Sequence, residues 1–67
     1  MNNNDNNVTM QIIHKEQTLS TMRYDIKVNP GQEYTDRQLL DFVCEDSTFG
    51  YHIYRQYDVY VLVVNKD

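Results

Sequence analysis

One stretch near the end of the chain limits what it can fold into. Tyr51-His52-Ile53-Tyr54-Arg55-Gln56-Tyr57-Asp58-Val59-Tyr60-Val61-Leu62-Val63-Val64 holds four of the six tyrosines and ends in an unbroken aliphatic run. Tyr, Val and Ile suit a pleated, half-buried surface. The odd positions Tyr51, Ile53, Tyr57, Val59, Val61 and Val63 are apolar, with Arg55 the one exception, and the even positions begin His52, Tyr54, Gln56, Asp58, Tyr60. A period of two predicts a strand with one face on a core. From Tyr60 onward both faces are apolar, which predicts cover on both sides, by this protein or by a partner.

The remaining segments read as material to pair with and cover that strand. Asn2, Asn3, Asn4, Asn6 and Asn7 surround Asp5 in a stretch with nothing to bury, so residues 1–7 are expected to be a disordered tail ahead of one domain, 8–67. Val8, Met10 and Ile12 alternate in a first strand over 8–15. Met22, Tyr24, Ile26 and Val28 alternate with Arg23, Asp25 and Lys27 in a second, 21–28, which should have one wet face. Gln17-Thr18-Leu19-Ser20 is the expected turn between them, without an Asn-Gly signal. Asn29-Pro30-Gly31-Gln32 fits a type II turn, with Pro at the second position and Gly where φ is positive.

A helix start follows. Thr35-Asp36-Arg37-Gln38 is a capping box, Tyr34 before it can staple onto Leu39, and Asp36 sits where the helix dipole favours an anion. Leu39, Phe42 and Val43, widened by Leu40 and Cys44, form the apolar stripe. Glu45 and Asp46 oppose the dipole at the far end, so the helix should stop near Glu45.

The expected fold is therefore α+β: a three-stranded antiparallel sheet with one helix on one face (ββαβ), in the order 2-1-3 with strand one central. The long last strand could instead break near Arg55–Asp58 into a hairpin; no Gly or Pro marks that turn, so the unbroken strand is preferred.

Sixty-seven residues lie near the lower limit for folding without a metal, a disulfide or a partner. The single cysteine, Cys44, excludes an internal disulfide. A net charge of −4 repels phosphate and argues against direct nucleic-acid binding. No segment reads as a signal sequence or a membrane span, so a soluble, cytoplasmic protein is the expectation. His14, His52 and Cys44 are the only soft metal ligands and lack zinc-site spacing; strands one and three as neighbours would be needed to bring His14 to His52. Cys44, on the apolar side of the helix, is expected to be buried and inert. No phosphate loop, dinucleotide fingerprint or nucleophile elbow occurs. The expectation is a protein that is not an enzyme and carries no cofactor or metal.

Two surfaces remain. Asp41 and Glu45 are spaced to share one helix face, with Asp36 and Asp46 at its ends and Arg37 able to pair with Asp41. Tyr54 and Tyr60 fall on the even face of the last strand, and tyrosine is a frequent interface anchor. Asp36, Asp41, Glu45, Asp46, Tyr54 and Tyr60 are thus the candidate partner-binding residues. Small size, acidity and a polar tail are a style common among small proteins of phage and other mobile elements, without pointing to a family. The leading expectation is a protein-binding module, in its sharper form a small acidic inhibitor that occludes a basic or substrate-binding surface of a larger host enzyme. The alternative is a structural or accessory subunit that homodimerises through a Val59–Val64 sheet edge.

Overall fold

The structure, a computed structural model, describes residues 9–67; the expected tail over 1–7 lies outside the described residues. Four strands and one helix follow in the order β1 (Met10–Gln17), β2 (Thr21–Val28), α1 (Asp36–Val43), β3 (Tyr51–Gln56) and β4 (Val59–Asn65). All neighbouring strands are antiparallel, and the sheet order is β1-β2-β4-β3.

This corrects the expected three-stranded sheet. The last stretch is two strands, with Tyr57 and Asp58 forming a two-residue turn between Gln56 and Val59. Strand one is an edge instead of the centre, and β4 lies between β2 and β3 with both of its sides paired. No glycine announces the turn because Tyr57 itself takes a positive φ of 55°, a conformation in which a bulky residue is an outlier. Across the turn Gln56 stands opposite Val59, so the two share a face. The odd residues of β3 therefore join the even residues of β4, and a single alternation carried through the whole stretch assigns β4 to the wrong side.

The other local signals act as their chemistry dictates. Gln32 N–H donates to the Asn29 carbonyl at 3.0 Å, and Gly31 at φ +82° completes the type II turn. At the β1–β2 connection Thr18 Oγ1 accepts the Thr21 N–H at 3.0 Å while Thr18 N–H donates to Thr21 O at 2.9 Å. A threonine hydroxyl thus organises a turn that lacks glycine. The capping box is complete: Gln38 N–H donates to Thr35 Oγ1, and Thr35 N–H donates to Gln38 Oε1 at 2.8 Å.

The helix ends at Val43, and Cys44 follows in the left-handed region at φ 60°. Cys44 N–H bonds Asp41 O, and Glu45 N–H bonds Leu40 O, the paired closure of a Schellman motif. Cys44 is exposed, against the expectation that it would be buried: the chain reverses there and its side chain leaves the stripe. Phe42 is also exposed; Leu39 and Leu40 carry the helix's burial.

The core lies between helix and sheet. Tyr24, Ile26 and Val28 of β2 and Tyr60, Leu62 and Val64 of β4 face Leu39 and Leu40, with Met10, Met22, Tyr34, Val43, Tyr51 and Ile53 packed around them. The opposite sheet face has no second layer among the described residues. Val61 is nevertheless only 1 % exposed there, because Asp25 and Tyr54 stand directly across from it and Asp25 is held by Arg23 at 2.9 Å. Its dry surroundings come from its own neighbours.

Two contacts fix how the helix crosses the sheet. At its start Asp36 accepts a hydrogen bond from Tyr51 of β3 at 2.8 Å. Past its end Glu45 accepts one from Tyr24 of β2 at 2.5 Å. The helix thus covers β3, β4 and β2 and stops short of β1, seven of whose eight residues are exposed.

Candidate functional site: the acidic helix layer

Charge is segregated along this chain. Glu33, Asp36, Arg37, Asp41, Glu45 and Asp46 are the charged residues of 33–46; all ten charged residues elsewhere cancel, five against five. The net charge of −4 therefore resides in the segment that holds the helix and its flanking turns, although Lys66 at Glu45 and Arg55 at Tyr60 bring cations from other elements against that layer.

The individual carboxylates differ in how free they are. Asp41 is exposed and lies 3.8 Å from Arg37, one turn earlier, a loose pair between two solvated side chains of the kind that contributes little. Asp36 is exposed and holds the Tyr51 hydroxyl, a bond that raises the tyrosine's pKa from its usual value. Asp46 accepts the Thr48 N–H at 3.2 Å, and that backbone bond lowers its pKa. Glu33 is exposed on the approach to the helix.

Glu45 belongs to the scaffold. Lys66 Nζ reaches it at 2.6 Å and Tyr24 Oη at 2.5 Å, so the carboxylate joins the helix end, β2 and the residue following β4. Burial pushes the Glu45 carboxyl up, but the Lys66 and Tyr24 hydrogen bonds outweigh burial and hold it below its ordinary value. Burial, reinforced by the neighbouring Glu45 charge, pushes the Tyr24 hydroxyl up to about 12.

The two tyrosines do not share a face. Tyr54 is 47 % exposed on the uncovered side of the sheet; Tyr60 is 8 % exposed under the helix layer. Tyr60 Oη accepts the Tyr34 N–H and an Arg55 Nη1–H, each at 3.1 Å, while the Arg55 guanidinium lies over its ring at 4.9 Å. Arg55 also donates to Gln32 O at 2.6 Å and Tyr57 O at 2.7 Å. It thereby anchors the β3–β4 turn to the segment that leads into the helix. In the sequence Arg55 registers only as a gap in an apolar series. Its role appears once the turn puts Tyr60 beneath it.

His14 and His52 lie on β1 and β3, the two opposite edges. Three strand spacings, roughly 14 Å, separate those strands. Among the described residues no group of three or more His, Cys, Asp and Glu side chains is placed to hold a metal ion, and no pocket opens. No helix among them is long and apolar enough to cross a membrane. Comparison with known proteins yields no matching family model, no matching curated protein and no matching solved structure.

Proposed function

We propose that the protein is a non-enzymatic binding module whose helix layer docks on a basic surface of a larger protein. The observation that supports this reading is the confinement of the whole charge excess to 33–46. A solvated surface that served only solubility would be equally effective with its charges dispersed, whereas exposed carboxylates gathered around one helix orient the molecule toward a cationic partner and speed encounter. Glu33, Asp36, Asp41 and Asp46 form the docking surface. Glu45 supports it from behind, Tyr60 is a core residue, and Tyr54 lies on the other side of the sheet, outside the contact. In its sharper form the contact occludes the partner's own anion- or substrate-binding surface, which makes the protein an inhibitor.

The test is capture of the partner by the purified chain, compared with the Glu33→Lys/Asp41→Lys double variant at low and high salt. Both positions are exposed, so folding should be preserved. At least tenfold weaker binding by the variant, with wild-type binding lost at high salt, is expected. Equal, salt-insensitive capture by both chains would end the acidic-docking reading.

A further inference from the structure

We propose that the outer edge of β3 is a self-association surface, at which two copies of this chain pair antiparallel about a two-fold axis through Ile53.

The hydrogen-bond parity of the sheet fixes which backbone groups are available. Asn65 N–H donates to Gly50 O at 2.9 Å. The register then carries that bonded series through His52–Val63, Tyr54–Val61 and Gln56–Val59. In an antiparallel ladder bonded and non-bonded pairs alternate, so the N–H and C=O groups of Tyr51, Ile53 and Arg55 point away from β4. Among the described residues no backbone group meets them.

The same three residues are self-complementary. A two-fold through Ile53 sets Ile53 against Ile53, and Tyr51 against Arg55 twice. Each of these pairs joins residues whose backbone groups point outward, so every free group of the edge finds a partner. Of the symmetric registers that pair outward-facing groups, this one gives the longest overlap, Tyr51 to Arg55, and keeps the two Arg55 residues apart. Side chains agree with it. Arg55 is pinned at one end of the edge, with no partner for its Nη2 among the described residues. Asp36 is pinned over Tyr51 at the other. The two-fold brings the cationic end of each edge to the anionic end of its copy.

The occupant is therefore a second copy, and the association closes. β3 carries no bulge, lysine or proline, three of the devices that blunt an edge, and its one charged residue, Arg55, is tied back to Gln32, Tyr57 and Tyr60. The opposite edge, β1, carries a register irregularity between Ile12 and His14 and a lysine, Lys15. Pairing through β3 gives one sheet of eight strands whose outer edges are the two guarded β1 strands. This surface meets the acidic docking layer at Asp36; the backbone groups that carry it, on Tyr51, Ile53 and Arg55, lie outside that layer.

The test is sedimentation equilibrium of the full chain from ~10 μM to ~1 mM, with amide hydrogen exchange at both ends of that range. A dimer is expected in which the Tyr51, Ile53 and Arg55 amides become protected as concentration rises, alongside His52, Tyr54 and Gln56, which the monomer already protects. Ile53→Pro removes no bond within the monomer's ladder, since that N–H faces outward. It should raise the dissociation constant at least about tenfold, the loss of two central hydrogen bonds. A monomer throughout, a dimer whose Tyr51, Ile53 and Arg55 amides exchange freely, or protection rising on β1 instead would each overturn the proposal. Should the proline variant fail to fold, the wild-type exchange pattern decides alone.

Discussion

The two edges of the sheet are held in opposite ways. β1 is eight residues long and almost wholly exposed, attached to β2 chiefly through its backbone ladder. β3 is six residues long, yet Tyr51, Ile53 and Arg55 are half-buried beneath the start of the helix. Ile12 and Ile13 of β1 are 38 % and 51 % exposed, because the helix ends over β2 and covers nothing beyond it. Length therefore says little about how firmly a strand is held. The direction in which the helix crosses the sheet decides which edge shares the core.

The largest test of that contrast compares one substitution on β4, the strand that seats β3 on the core, with one on β1. Leu62 is fully buried opposite Ile53, and Leu62→Ala should lower the unfolding free energy by about 3 kcal/mol through lost burial and the cavity left behind. Ile12→Ala removes a side chain that is 38 % exposed at the margin of the core and should cost clearly less, about 1 kcal/mol. Urea unfolding of both variants measures the difference, and equal losses would mean that β1 shares the core after all.

Acid should act at the boundary between the two regions. Glu45 ties the helix end to β2 and Lys66, and its folded-state pKa is lowered. The stabilisation is therefore present above the ordinary glutamate value, about 4.3. It is lost as pH falls through the lowered folded value. Glu45→Gln should remove that part of the acid dependence, seen as a flatter urea midpoint against pH below about 4.5. An unchanged profile would place the acid-sensitive group elsewhere.

The smallest expected effect is a gain common to both edges. Cys44 occupies the left-handed closing position of the helix, where glycine carries no Cβ penalty. Cys44→Gly should stabilise the protein by about 0.5–1 kcal/mol in the same urea assay. A loss would show that the cysteine side chain makes a contact worth more than its backbone strain.

Much of this architecture is legible where a residue's local chemistry admits one outcome. Thr35 and Gln38 specify the helix start, Pro30 and Gly31 the turn before it, and the alternation of Met22 to Val28 a half-buried strand. The misreadings fall where a local preference is overridden. A tyrosine at positive φ forms the last turn, so no residue marks it. The aliphatic run after it is apolar on both faces, which hides the change of side between β3 and β4. From that turn follow the central place of β4, the separation of Tyr54 from Tyr60, and the loss of the Val59–Val64 edge as a surface for a second copy. His14 and His52 part for the same reason, since sheet order depends on pairings that no short window contains. Of the candidate site, the charges were readable one by one. Their state was not, because Glu45 is consumed by Lys66 and Tyr24, residues 21 positions away on either side.

The position of β4 also governs the order of events during folding. Both hairpins, β1–β2 and β3–β4, join neighbours in sequence and can form early. The seam between β2 and β4 joins Thr21 to Asn65 and Lys27 to Val59, the most distant pairing in the sheet. Such long-range closure is slow. Until it occurs, Tyr24, Ile26 and Val28 have neither β4 nor a seated helix to cover them. The last strand in sequence is thus the one that converts two half-sheets into a core, and docking of the hairpins is the step expected to limit the folding rate.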